Sequence, residues 1–400
     1  MNNQQPFRVI VSANVTAQGL RIKWQDQHES LFHWIWLRHQ CTCPACGTPM
    51  DAIRGIFIHQ IPESVSGNLL SISERHVEIE WCNDKHLSTY QADWLRQHCY
   101  TKSEHIKRQP RPILWDSSII KNPPVADFNQ AEGDPHYRLH TLEMLDQYGF
   151  CKIINTPRQR ESAERPINLV GPQRASNFGS YILSQKKSAD NVGDTSSALL
   201  PHTDETYRIS AIGITVFQVF HAASNGGATT LVDGFEAVRR LKATDEDAFH
   251  LLVTTPIATQ RTDQATTTDR QPSWYQSRMP MIKLDGDGEV SGIRMNERQI
   301  GPLDVPSDLV LPVYSALRKL FTLLYSDDLV ITFPLQPGEG MLFNNQRVLH
   351  GRTAFQPEHP ARSVLTSSVD LDEFHSSLRM LRAALNQDTA QRYYSQGLAT

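Results

Sequence analysis

This sequence lacks any surplus of positive charge: 39 lysines and arginines face 43 aspartates and glutamates, a formal net charge of -4. With no excess of cations to neutralise phosphates, nucleic acid and anionic membrane surfaces are not expected as partners. Long apolar runs are missing too. Nowhere do about 18 consecutive apolar residues occur, the length that marks a membrane-spanning helix. The opening MNNQQPFRVIVSANVTAQGL has no basic stretch followed by an apolar one, so a cytoplasmic location is expected. Cysteine is scarce, and six in 400 residues are too few for a disulfide scaffold. No internal repeat is evident.

What is present divides the chain. At roughly 150 residues per domain, its length suggests two or three units. Short β-type runs (RVIVSANV, LRIKW, LFHWIWLR) precede a crowd of cysteines at Cys41, Cys43 and Cys46. HVEIEW then alternates as a half-buried strand should, CNDK turns the chain, and STYQADWLRQHCY predicts a helix. We read 1–105 as a small zinc-binding domain, 106–127 as a Lys-, Arg- and Pro-rich surface linker, and 128–400 as the main domain.

In the main domain, YRLHTLEMLDQYGFCKIINTP reads as helix, glycine stop and strand, and Asp233 can cap a helix through FEAVRRLK. A second helical pattern covers TDEDAFHLLV. The remainder is short strands (ISAIGITVFQVFHAA, TTLVD, SGIRMN, LVITFPLQ, GMLFNN, SVLTSSVDL) broken by SNGG and QPGEG turns. Many short strands with few helices predict a mainly β fold with some α, a jelly roll.

Three residues in that domain point to a metal. His202-Thr203-Asp204 precedes the longest apolar strand pattern, and in extended backbone residues i and i+2 project to the same side. MLFNNQRVLHGRTAF carries a strand into His350 and Arg352 on an expected polar turn, adding a second imidazole. Two histidines and one carboxylate that leave coordination positions open suit non-haem Fe(II) oxygenases. Arg362 begins a later strand, where a guanidinium can grip a carboxylate through two parallel hydrogen bonds. In the small domain, three thiolates at Cys41, Cys43 and Cys46 suit one tetrahedral zinc that still needs a fourth ligand. Spacing leaves His86, Cys82, His98 and Cys99 as candidates.

HTD, LHGR, the downstream arginine, GGATTLVDG and the terminal SLRMLR together resemble the taurine-dioxygenase-like superfamily, and within it the γ-butyrobetaine and trimethyllysine hydroxylase group. LRHQCTCPACG and WCNDKHLSTYQADWL resemble that group's N-terminal domain, so the likeness spans nearly the whole chain. It implies a double-stranded β-helix (jelly roll) with Fe(II) on His202, Asp204 and His350. Arg362 and Thr229 would hold 2-oxoglutarate, with O2 as the other cosubstrate, and structural Zn(II) would sit on Cys41, Cys43, Cys46 and His86. A homodimer is also implied. The expected reaction hydroxylates a small molecule and yields succinate and CO2.

The substrate pocket departs from that group. Counting back from His202, its asparagine is retained as Asn191, but Asp194 stands where a cage tyrosine is expected. Phe178 replaces another tyrosine, Ile182 a tryptophan and Ser368 a further tyrosine. A trimethylammonium group is held by ring faces because it cannot donate hydrogen bonds; Asp194 with Ser368 would instead suit a cation that can. Arg174, Arg208, Arg294 and Arg298 are candidates for an anionic end. The expected substrate is a small zwitterion resembling an amino acid, betaine or aminophosphonate, with γ-butyrobetaine or trimethyllysine itself as the alternative. A metal-dependent ligand sensor without turnover is the reading from another class.

Overall fold

The computed structural model of the protein describes residues 8–47, 55–109, 112–162, 164–175, 181–184, 195–263, 272–356 and 362–385, with 181–184 described by backbone alone. Contacts divide it into two units, with the division between Gln109 and Pro110. Among the described residues, no helix is long and apolar enough to cross a membrane.

The first unit holds two antiparallel three-stranded sheets. Ile10–Val15, Gly19–Trp24 and Glu29–His33 form one; Gly67–Ile72, His76–Trp81 and Leu87–Gln91 form the other. Alternate residues point inward along each strand, and Leu20, Ile22, Trp24 and Phe32 pack with Val77, Ile79, Trp81 and Tyr90 in one core. Two expectations change here. The run LFHWIWLR is not one strand, because it turns at His33 into the helix Trp34–His39. The predicted helix over STYQADWLRQHCY begins as the strand Leu87–Gln91, whose Ser88 and Tyr90 alternate into the core, and becomes helical only over Ala92–Gln97.

The stretch read as a linker, 106–127, is built into the fold at both ends. Its first residues close the helix Lys102–Arg108, and its last form Val125–Asp127, a strand parallel to Phe150–Ile154. Between them Trp115 is buried, and its backbone N–H donates to Asp233 at 3.1 Å. Prolines that suggested irregular chain conceal these anchors.

The second unit contains a six-stranded and a four-stranded sheet. The six run in the order Val125–Asp127, Phe150–Ile154, Gly340–Asn344, Ile214–His221, Ser363–Val369, Tyr181–Ser184. The four run Leu199–His202, Val348–Arg352, Thr229–Asp233, Ile331–Phe333, all antiparallel. Strand alternation sends Met341 and Phe343 into a core shared with Leu231, Ile331, Phe333 and Val348 of the smaller sheet, and Leu342 to the opposite face. There it meets Leu139, Leu142 and Leu145 of the helix Pro135–Tyr148 and Phe374 and Leu378 of Leu371–Ala384.

Helix boundaries follow local chemistry. The Asp134 side chain accepts from His136 N, Pro135 is the first helical residue, and Gly149 ends the helix at φ 75°. Asp233 and Asp245 cap Gly234–Thr244 and Glu246–Thr254 in the same way. The helix Val310–Leu324 was not expected; its Val313, Leu317, Leu320 and Leu324 pack on the two preceding helices. Pro312 disguises it, yet sits in the first turn, where proline costs nothing.

Candidate metal centres and cosubstrate pocket

His202 ends one strand of the four-stranded sheet, and His350 lies directly opposite it on the neighbouring strand. His350 and Arg352 therefore belong to a strand, not to the expected polar turn. The imidazole rings lie 4.6 Å apart, and Asp204 bridges them: Oδ1 is 3.5 Å from His202 Nε2 and Oδ2 is 3.4 Å from His350 Nε2.

The carboxylate is fixed through its backbone. Asp204 N–H donates to Asn345 Oδ1 at 2.8 Å, and Asn345 Nδ2 donates back to Asp204 O at 3.1 Å. Thr203 is fixed in turn: its N–H donates to Met295 O at 2.7 Å and its hydroxyl accepts from Met295 N at 2.9 Å. Glu205, next in the chain, holds φ at 56° and is buried, with Arg208 Nε 3.1 Å from its carboxylate. No motif announces Asn345; only its place beside the turn into the Val348–Arg352 strand could have drawn attention to it.

The donor set fits a divalent cation. His202 Nδ1 lies 2.8 Å from Leu200 O, so it carries the proton and leaves Nε2 free to ligate. Burial pushes the His350 pKa down to about 3 against the pull of Asp204, so the ring is a neutral donor at physiological pH. Packing around Asp204 would raise its pKa, but His350 and His202 hold it well below the usual carboxylate range. The two histidines are buried while the Asp204 side chain is 34% exposed, so the cluster opens to one side. Three donors with an open side leave coordination positions for small ligands.

A pair of arginines lies beyond the His202, Asp204 and His350 cluster. Arg352, two residues from His350, is buried opposite Thr229, and its Nη2 donates to Thr195 O and Ser197 O at 2.7 and 2.8 Å. Arg362 and Arg352 both stack on Phe355, at 5.9 and 4.9 Å. Burial, with Arg352 as neighbour, pushes the Arg362 pKa down to about 10. Gly226 and Gly227 turn the chain beside them at φ 80° and 71°; a Cβ on Gly226 would lie 2.0 Å from Ala354 O, and one on Gly227 3.2 Å from Arg362 Cδ. No ion pair joins Arg362 to an acid among the described residues, and two neighbouring guanidiniums, Arg352 buried and Arg362 half-buried, favour an anion.

Of the expected pocket residues, Asn191, Asp194 and Phe178 lie outside the described residues. Ile182 is in the strand Tyr181–Ser184, opposite Leu365, and its side chain is not described. Ser368 is half-buried opposite Thr215. Two of the arginines offered for an anionic end are engaged elsewhere: Arg294 donates to the carbonyls of Thr206, Arg208 and Ile209, and Arg174 to Ser210, Ala211 and Asp370. They brace the loop that follows Asp204.

In the first unit, His86 Nε2 lies 3.4, 3.4 and 3.5 Å from the Sγ atoms of Cys41, Cys43 and Cys46. A tetrahedral zinc with ordinary bond lengths sets nitrogen and sulfur about 3.5 Å apart. Of the four candidates for the fourth position, His86 alone reaches the thiols in this cluster. Burial, with Cys46 and Cys43 close by, pushes the Cys41 thiol up to about 11, so its thiolate needs a cation beside it. All six cysteines are free.

Comparison with known proteins gives these centres a context. The family model described as taurine catabolism dioxygenase TauD, TfdA family matches residues 122–367. The chain belongs to this family. A second model, described as gamma-butyrobetaine hydroxylase-like, N-terminal, matches residues 11–66. The gamma-butyrobetaine dioxygenase of Homo sapiens is 28% identical over 374 residues, covering 92% of this chain and 95% of that protein. That of Pseudomonas sp. (strain AK-1) is 27% identical over 378 residues, 93% and 96%. The trimethyllysine dioxygenase of Meyerozyma guilliermondii is 24% identical over 389 residues, 93% and 96%. A solved asparagine oxygenase overlays with a TM-score of 0.45 at 16% identity, covering 61% of this chain and 83% of that one. This TauD, TfdA family member is a dioxygenase dependent on Fe(II), 2-oxoglutarate and O2.

Proposed function

We propose that His202, Asp204 and His350 hold the ferrous ion and that Arg362, with Thr229, receives the distal carboxylate of 2-oxoglutarate. The two sheets of the second unit would form a double-stranded β-helix within a catalytic domain at 128–400. The cluster of Cys41, Cys43, Cys46 and His86 would hold a structural zinc in the 1–105 domain. When bound, iron with 2-oxoglutarate and O2 supplies the oxidising power to hydroxylate a C–H bond, with succinate and CO2 as co-products. The chain's part is to hold and orient. Asn345 and, through Thr203, Met295 keep Asp204 aimed between the two imidazoles, and Arg362 offers an anion a half-buried, positively charged seat.

The observation that carries this reading is the convergence of His202, Asp204 and His350 from separate segments into one cluster with an open side. Relatives named for γ-butyrobetaine and trimethyllysine support a small zwitterionic substrate. The departures at Asp194, Phe178, Ile182 and Ser368, beside the retained Asn191, favour a substrate cation that donates hydrogen bonds over a fully methylated one. The enzyme would act in the cytoplasm as a homodimer.

A substrate panel tests this. Succinate formation that requires Fe(II) and O2 is expected with unmethylated amino acids or aminophosphonates. Brisk turnover of γ-butyrobetaine or trimethyllysine, with none of the unmethylated compounds, would overturn the altered-pocket reading. No substrate-stimulated succinate formation across the panel would overturn the zwitterion assignment. Sedimentation at micromolar concentration checks the dimer.

A further inference from the structure

Contrary to the expectation of no internal repeat, the first unit is built as two copies of one motif, and Asp26, His28, Ser30, Arg38 and Cys41 recur 58 positions later as Asp84, His86, Ser88, Arg96 and Cys99. Each copy is a three-stranded antiparallel meander followed by a short helix, Trp34–His39 in one and Ala92–Gln97 in the other. They agree in details that a meander does not require. Trp24 Nε1 donates to Ser30 Oγ at 2.8 Å, and Trp81 Nε1 to Ser88 Oγ at 2.8 Å. Gln27 and Lys85 both hold positive φ, 66° and 58°. His28 N–H donates to Asp26 at 3.1 Å, and His86 N–H to Asp84 at 3.1 Å.

The copies also reach into one another reciprocally. Arg38 Nη2 donates to Asp84 at 2.9 Å and its guanidinium lies 5.7 Å from the Trp81 ring; Arg96 Nη2 donates to Asp26 at 2.9 Å, 5.9 Å from the Trp24 ring. Ser88 Oγ is 3.0 Å from Cys41 Sγ, and Ser30 Oγ is 3.0 Å from Cys99 Sγ. Each contact is returned with its partners exchanged, as a twofold relation requires.

The same exchange applied to the Cys3His cluster carries His86 to His28, Cys41 to Cys99, Cys43 to Thr101 and Cys46 to Glu104. The image is in place. His28 Nε2 lies 3.4 Å from Cys99 Sγ and 3.4 Å from Thr101 Oγ1, repeating the distances from His86 to Cys41 and Cys43. Arg96 Nη1 lies 2.8 Å from Glu104 Oε2 where Arg38 Nη1 meets Cys46 Sγ at 3.4 Å.

The donors, however, have changed. Two thiols are replaced by a neutral hydroxyl and a carboxylate, and Glu104 Oε1 is taken by Lys107 Nζ at 2.8 Å. With Glu104 and Asp26 set against Arg96 and Lys107 and no cluster of thiolates, the charges balance without a metal. Cys99, His28 and Glu104 are not among the groups whose ligand atoms gather within 4.8 Å of one another.

We infer that the first unit is an internally duplicated metal module in which one copy keeps its zinc and the other has exchanged metal for the Arg96–Glu104 ion pair. Positions 28, 99, 101 and 104 are thus a latent Cys3His site. This rests on the zinc reading of Cys41, Cys43, Cys46 and His86.

Zinc counted by elemental analysis in the full chain, with the iron site loaded with Fe(II), tests it. Wild type is expected to hold one zinc per chain, and Thr101→Cys with Glu104→Cys to hold two. On the wild-type background Cys99→Ser should leave the count at one, while Cys43→Ser lowers it. Two zincs in wild type, or loss of zinc on Cys99→Ser, would overturn the inference alone. So would a folded double variant that stays at one. No zinc in wild type would overturn the zinc reading and the inference with it.

Discussion

The two ligand clusters of this chain are built in opposite ways. Cys41, Cys43 and Cys46 come from one short segment, and His86 fills the fourth corner, so protein atoms complete the set. His202, at a strand end, and Asp204, in the bend after it, meet His350 of a strand far off in sequence only in the folded sheet, and Asp204 leaves one side open. A closed cluster suits holding a fold together; an open one suits chemistry. Stability should therefore follow the first, and turnover the second.

The largest effect that could break this division is loss of the thiol cluster. Structural zinc sites of this kind are worth about 10–16 kcal/mol. Cys43→Ser or a strong chelator should remove the near-ultraviolet circular dichroism of the packed Trp24, Trp34 and Trp81 core. Unchanged dichroism with zinc demonstrably gone would make the cluster dispensable.

Next is Asp204→Ala, which should lower succinate formation by about three orders of magnitude, roughly 4 kcal/mol of barrier, while zinc content and melting temperature hold. Arg362→Met is smaller. Losing one charge-assisted grip should raise the 2-oxoglutarate concentration for half-maximal rate about 10- to 100-fold, or roughly 1.4–2.7 kcal/mol, with the dependence on substrate little changed.

The smallest effect separates the two copies within the first unit. Burial would raise the Glu104 pKa, but Arg96 and Lys107 lower it from 4.5 to about 2. A depressed carboxylate stabilises the fold fully above its unfolded pKa and loses that contribution as pH falls through the folded one. Between pH 4.5 and 2 wild type should therefore lose stability that Glu104→Gln lacks at every pH. Parallel curves for the two proteins would mean the pair contributes nothing.

Both side-chain clusters were legible in the sequence because short-range spacing and family likeness carried them: Cys-x-Cys-x2-Cys, His-x-Asp and LHGR need no three-dimensional information. The residues that aim them were not. Asn345 acts through backbone atoms of Asp204, and a lone asparagine in a turn gives no sign of that. Asp233 was legible as a helix cap, but its buried pairing with Arg347 at 2.8 Å joins distant segments. The duplication was legible but unread: Asp26, His28, Ser30, Arg38 and Cys41 recur 58 positions later, while one extra residue between Trp81 and Asp84 breaks the register of the preceding strands. That these shared residues make matching tryptophan–serine, arginine–aspartate and histidine–cysteine contacts across the two copies is visible only once the chain has folded.

The central claim is tested most directly by anomalous X-ray scattering at the iron and zinc edges, from crystals grown anaerobically with Fe(II). The account predicts an iron peak bonded to His202 Nε2, Asp204 and His350 Nε2, with positions left for 2-oxoglutarate. It predicts a zinc peak among Cys41, Cys43, Cys46 and His86. An iron peak away from those three side chains, or one whose coordination is completed by protein atoms, would contradict it.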